Sequence, residues 1–489
     1  MPRKSITPQK ASPWDRLPLE LRDLVFAQLL TSGRGLYAAY AQVNKEWNAY
    51  WEPKVFKKLL LTPDDLATLS QMLGGRNTRR LGYINRLDFY IILEKYDCDL
   101  CDKVEDEETA QRDTKHHYRP LAMRLNSLTD QYEEIGEPES DRSNGHGPIP
   151  PSKDYACATR LFGSRYLQWS YQADQYPFEA HWRLPQARII TDLNLDLASY
   201  RSIGRNVVWR LLREGLPSLV SLNHEQWLRL KPPGQVRHDE NFVETIDMRW
   251  PTPFPRRIQR LSLFSDADPR MHDAGPRPTS HHRAGRSLAL ASHNLSVLTC
   301  GFAADAAGFL HEFYEDRCRD LGAQVMRWEN LTKLCLTAAC FESSTCDEIP
   351  PLLSAAANAA RHMPQLLILE MWNSGNGQAA RFCYEGQPRT QEGNYSPASI
   401  VWACSWSPAY IDQSDPAIGK WRRLARDRSG GLEAGVCFST IEMKPLELQT
   451  HLAMIPHLRL SADMLSKSTH GRIKYKTRMR RDGKHDSLV

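Results

Sequence analysis

Apolar positions near the start of the chain follow a helical period, but there are more of them than one buried stripe requires. At ~100° per residue, Leu17, Leu21, Leu24, Val25 and Leu29 share one broad face, and Leu19, Phe26 and Leu30 extend it. The apolar arc reaches about 240°, broken by Arg22 and Gln28, whereas a helix covering only its own domain needs a narrower one. Pro18 suits a first turn, where its missing N–H is no loss. Glu20 and Asp23 suit the positive end of the helix dipole, and Gly33 and Gly35 predict where the helix stops. A second helix is predicted from Leu36, Tyr40, Val43, Trp47 and Tyr50. Pro53 predicts a break, and "KVFKKLLL" then predicts a short third helix with Val55, Phe56 and Leu59 inward. Three short helices bury too little surface to be comfortable alone, so they are expected to dock on the rest of the chain or on a partner.

Further along, a short pattern, apolar-x-x-Leu-x-apolar, recurs. It reads "INRLDF" from Ile84, "ITDLNL" from Ile190, "LVSLNH" from Leu219, "IQRLSL" from Ile258, "LSVLTC" from Leu295, "LTKLCL" from Leu331 and "LLILEM" from Leu366. The last five begin 39, 37, 36 and 35 residues apart, and "LPSL", "WENL" and "MPQL" lead into three of them. Helical patterns lie between, such as "SYRSIGRNVVWRLLREG" and "CDEIPPLLSAAANAARH". Strand then helix at a near-constant period predicts an α/β solenoid whose units resemble leucine-rich repeats, although a doubly wound α/β domain alternates in the same way. Polar stretches at Tyr132–Ser152, Lys231–Arg256, Asp266–Arg286 and Asn373–Ser396 are expected to be long loops. Beyond them, "ASIVWACSW" and "AGVCFSTIEM" read as strands around a helix near "PAIGKWRRLARDR".

With 489 residues the chain exceeds one compact core, so two or three domains are expected. The N-terminus lacks the apolar run of a secretory signal, no segment is apolar for a bilayer's width, and eleven cysteines suit free thiols; cytoplasm or nucleus is the expected compartment. The net charge of +5 is unevenly spread. From Ser466 onward eight Lys/Arg and two Asp give +6, which leaves −1 for everything before. That basic tail suggests nuclear import or weak phosphate contact, and nucleic acid is not an expected partner of the near-neutral body.

Cys98, Cys101, His116 and His117 have zinc-ligand chemistry, but adjacent histidines rarely reach one tetrahedral ion and seven acids crowd 97–108, so no metal is expected. "HEFYE" at His311 misses the zinc-protease pattern, and no phosphate loop, nucleophile elbow or dinucleotide fingerprint occurs. The expectation is a protein with no catalytic residue and no cofactor.

The order Leu17-Pro18-x-Glu20-Leu21, Val25-Phe26-x-x-Leu29, Val43-Asn44-Lys45-Glu46-Trp47, with a trailing aromatic at Phe56, resembles an F-box. That family is a three-helix module binding the Skp adaptor of a cullin-based ubiquitin ligase. The resemblance implies that Leu17, Pro18, Leu21, Leu29, Val43 and Trp47 meet the adaptor or shape that surface. The expected class is α+β multidomain: a disordered arm at 1–12, an F-box at 13–61, a leucine-rich-repeat-like α/β solenoid at 62–395, C-terminal α/β units or a cap at 396–465, and a basic disordered tail at 466–489. The expected function is the substrate-recognition subunit of a Skp–cullin–F-box ubiquitin ligase. It would hold a client protein of unknown identity on the concave strand side of the repeats. The alternative is a non-enzymatic repeat scaffold with a helical cap.

Overall fold

A computed structural model describes residues 13–32, 36–61, 64–84, 86–91, 126–127, 190–195, 205–227, 254–266, 282–314, 326–342, 347–375, 377–386, 398–406, 411–428, 435–441, 448 and 450–481. The chain divides into two units, 1–59 with 72–85, and 60–71 with 86–489.

The first unit holds α1 (Leu19–Thr31), α2 (Tyr37–Tyr40) and α3 (Lys45–Phe56). Helix α1 ends at Thr31 with Ser32 as its cap, and Gly33 and Gly35 lie outside the described residues. The predicted second helix is two: the chain turns after α2, and Asn44 restarts it by accepting from the Trp47 N–H at 2.9 Å. The break predicted at Pro53 does not occur. Pro53 lies inside α3. Its missing N–H leaves only the carbonyl of Ala49 without its usual donor, and Ala49 is exposed to water, so the cost is small. No separate third helix follows: Lys54–Phe56 of "KVFKKLLL" end α3, and its last four residues form strand β1 (Lys58–Leu61). Helix α3 is also held by a turn segment, Gly75–Tyr83. Buried Glu52 accepts from Arg79 at 2.9 Å and from Arg80 at 2.8 Å, while the Arg80 guanidinium lies 5.0 Å from the Phe56 ring centre. The unit therefore extends past the residue-61 boundary read from sequence.

The second unit is a mixed α/β structure built on an open nine-stranded sheet. Besides β1, the small sheet contains β2 (Arg86–Ile91) and β3 (Asn126–Ser127). The large sheet takes β4 (Asp192–Leu195), β5 (Ser221–Trp227), β6 (Arg260–Asp266), β7 (Val297–Asp305), β8 (Lys333–Thr337) and β9 (Ile368–Gly375) in chain order, each parallel to the next. Every recurring "Leu" of the sequence pattern is a strand residue. Leu193, Leu222, Leu261, Leu298, Leu334 and Leu369 pair in one continuous register and are buried. The repetition extends to single bonds. Gln259 N–H donates to Val220 C=O, Ser296 to Gln259, Thr332 to Ser296 and Leu367 to Thr332, at 2.7–2.8 Å. Arg86–Phe89 of "INRLDF" lie in β2 of the small sheet instead, while Ile84 belongs to the first unit.

Crossovers between successive parallel strands are right-handed as a rule, which puts connecting helices on one face of a sheet, and described helices lie between several of these strands. These are α5 (Arg205–Arg210), α6 (His282–Ala291), α7 (Ala306–Phe309) and α8 (Ile349–Ala360), α4 (Asp65–Leu73) lying earlier in the chain. Two of the expected loops contain regular structure. Helix α6 begins inside the stretch 266–286, because Ala284, Ser287, Leu288 and Ala291 form a buried face there. Strand β10 (Gln378–Glu385) folds back on β9 antiparallel, Gln378 pairing with Gly375, and Gly377 has a φ of 78°. The sheet then continues through β11 (Ser399–Cys404) and β12 (Gly435–Thr440), with α9 (Pro416–Arg428) between them, as the sequence reading expected. These C-terminal strands are thus part of the same sheet. The remaining tail is not unstructured: after α10 (Ser461–Met464), α11 (Lys467–Arg481) is a helix with Thr469 and Ile473 buried.

Candidate partner-binding surface

The interior of the first unit is aromatic. Phe26 is the one buried residue of α1, and its ring stacks on Tyr50 at 4.2 Å, with Trp47 at 5.2 Å and Trp14 at 5.3 Å. Trp51, fully buried, stacks on Tyr37 at 5.1 Å. The N-terminal approach is tied down by Glu46, which accepts from Trp14 Nε1 at 2.8 Å and from Arg22 at 2.9 Å. Arg22 Nε also donates to the Leu17 carbonyl at 3.0 Å. Rings with flat faces fill this interior, so the leucines are not needed there.

What remains outside is apolar. Leu21 and Leu24 sit about 140–160° round the helix from Phe26, at 100° per residue, and Leu24 is 63% exposed. Leu21, Val25, Leu19, Leu30, Leu36 and Val43 are exposed as well. Of these, Leu21 and Leu24 share the side of α1 turned away from Phe26, while Leu19 and Leu30 lie nearer to it in angle.

The six residues that the F-box resemblance assigns to the adaptor surface divide among environments. Leu21 and Val43 are exposed ridge residues, and Pro18 is exposed at the start of α1, its carbonyl accepting from Leu21 and Arg22 N–H groups. Leu17 and Leu29 are half-buried. Trp47 packs into the aromatic interior, 4.9 Å from Trp14, so it supports the surface from behind. Leu19, Leu24, Val25, Leu30 and Leu36 were not singled out for contact. The excess apolar arc was visible in the sequence; which side Phe26 would take was not.

The second unit offers a contrasting surface. The strand face opposite the helices, where a client was expected, is occupied by the chain itself. Residues 450–466 lie across it, held by polar side chains of β6, β8 and β9. On β9, the fully buried Glu370 accepts from Arg459 N–H at 3.1 Å and Leu460 N–H at 3.0 Å, and is paired with Arg381 at 2.6 Å. Lys333 on β8 and Arg260 on β6 reach Asp463 at 2.8 and 3.2 Å. Ser262 Oγ on β6 donates to the Met464 carbonyl at 2.5 Å, and Asp266 meets His451 at 2.7 Å. Gly301 makes room: a Cβ there would stand 3.0 Å from the Met464 sulfur and 2.6 Å from Phe264. Met454, Ile455, Leu458 and Leu465 complete a core with Phe264, Phe302 and Trp372. The client expectation for this face is corrected: seven apolar side chains of the crossing segment are already buried on it among the described residues.

Cys300 and Cys383 are buried, and burial pushes both thiols up to about 12, so neither is a thiolate at neutral pH. Among the described residues no group of three or more His, Cys, Asp or Glu could hold a metal ion. Cys98, Cys101, His116 and His117 lie outside them. No described helix is long and apolar enough to cross a membrane.

The profile of a family of unknown function, DUF6546, matches residues 253–466. The matched stretch runs from the entrance of β6 through the segment that crosses the sheet, and leaves the N-terminal helices outside it. No curated protein and no solved structure matches the chain.

Proposed function

We propose that this chain is the substrate-recognition subunit of a Skp–cullin–F-box ubiquitin ligase, with residues 13–61 as the F-box and the second unit as a leucine-rich-repeat-like α/β solenoid that carries the client. The observation that carries the reading is the outward ridge of Leu21 and Leu24 on a helix whose inner side is filled by Phe26. Removing such a leucine from water contributes about 1.5–3 kcal/mol, so a few of them suffice for a stable complex with an adaptor. Six parallel strands in chain order, with the same bond repeated from one to the next, support the solenoid. The client is held by surfaces of the second unit other than the strand face closed by 450–466. The chain supplies positioning and no catalytic group: a bound client is kept near a recruited ubiquitin-conjugating enzyme, which raises the local concentration of acceptor lysines.

The test is co-precipitation of Skp and cullin with the full chain and with Leu21→Ala/Leu24→Ala. The wild type brings down both, and the double variant loses at least tenfold of each while its thermal midpoint stays within a few degrees. Absence of adaptor from the wild-type precipitate sinks the ligase reading and leaves the scaffold.

A further inference from the structure

The segment lying on the sheet and the helix that follows it are held in different ways. Residues 448–465 bury eight apolar side chains in the core with Phe264 and Trp372, whereas α11 adds only Ile473 to that core among the described residues. At the N-terminus of α11 several hydrogen bonds instead converge on one carboxylate. Glu225, on β5 and 4% exposed, accepts from the Ser466 N–H, from Ser466 Oγ at 3.2 Å, from Thr469 Oγ1, and from Asn223 Nδ2 at 2.9 Å. Ser466 Oγ also accepts from the Thr469 N–H at 3.2 Å, which caps the helix. One buried anion therefore satisfies the first turn of α11, and the two hydroxyls touching it are both phosphorylatable in type. Further along α11, Arg472 stands 4.0 Å from Asp266. The DUF6546 match takes in the crossing segment and stops at Ser466.

We infer that Ser466 and Thr469 on Glu225 form a charge-sensitive latch, a modification site at which a phosphoryl group frees α11 while residues 450–465 stay on the sheet. A phosphate is normally welcome at a helix N-terminus, but here Glu225 already fills that place and a second anion meets it at van der Waals distance in a poorly solvated site. The modification forms an Oγ–P bond as the γ-phosphoryl leaves a nucleoside triphosphate in a protein kinase; the hydroxyl proton departs and the nucleoside diphosphate is released. Because both hydroxyls are buried, the enzyme reaches them in the transiently open state and traps it. Release uncovers the carboxylates of Glu225 and Asp266 and presents α11, with Lys467, Lys474 and Arg478, to solvent on all sides. The latch is independent of the ligase reading.

Hydrogen exchange on the full chain tests it. In Ser466→Asp/Thr469→Asp, amides of 470–481 exchange roughly a hundredfold faster than in the wild type, and those of 450–465 and β5–β9 do not change. Adding Glu225→Gln to that pair removes the repulsion while keeping hydrogen-bonding atoms, and restores protection. Unchanged exchange in the double variant overturns the latch, as does faster exchange spread through 450–465 and the sheet, or a failure of Glu225→Gln to restore it.

Discussion

Phe26 and Leu24 are both large apolar residues on one helix, two positions apart, and the structure gives them opposite parts. Phe26 is buried among Tyr50, Trp47 and Trp14 rings, so Phe26→Ala removes the centre of the interior and costs about 3–5 kcal/mol, enough to unfold so small a unit. Leu24→Ala touches nothing inside and shifts stability by less than about 0.5 kcal/mol. Near-ultraviolet circular dichroism of the full chain at 25 °C separates the two: the aromatic signal of the first unit falls in Phe26→Ala and is kept in Leu24→Ala. A residue scale that ranks hydrophobicity alone puts these two side chains together. Geometry separates them, because a ring can stack on Tyr50 and a leucine cannot.

Among the elements, the hairpin of β9 and β10 was readable in principle. "SGNGQ" contains the Asn-Gly pair that favours a two-residue turn, but surrounding polar residues read as an expected loop. The α6–α7 contact had no such signal. Gly285 and Gly308 let two backbones meet: a Cβ on Gly308 would lie 2.4 Å from the His282 carbonyl oxygen, and one on Gly285 would lie 2.5 Å from the Phe309 nitrogen. Gly308→Ala is expected to destabilise by about 1–3 kcal/mol, because neither backbone can yield without displacing a helix. A thermal melt of the full chain checks it, and a midpoint equal to wild type would contradict the close approach. The short helices of the first unit show a further limit of local reading. Pro53 argues for a break, and the helix continues because only Ala49 loses a bond and water can replace it.

At the scale of the whole molecule, the deciding event is the return of the chain over its own sheet. Strand residues 70–240 positions earlier supply the anchors, and several are charged or polar where a repeat protein is expected to leave its strand face open. Glu370→Ala is therefore expected to cost at least about 3 kcal/mol, since it strands Arg381 and two backbone N–H groups in a place closed to water. Limited proteolysis reads the result as new cleavage within 450–466; resistance equal to wild type would mean the crossing segment is held by its apolar side chains alone.

The strands, their spacing and their leucine register followed from the sequence, because a two-residue alternation repeated at near-constant intervals dictates both element type and the buried face. The surplus of apolar residues on α1 was equally plain. Tertiary structure alone decided which side of that helix stays outside, since this depended on aromatic rings contributed from α2 and α3. It also decided that residues 450–481 complete the fold instead of trailing from it. Their partners lie on strands far away in the chain, and no local pattern encodes a contact whose two halves are separated by 200 residues.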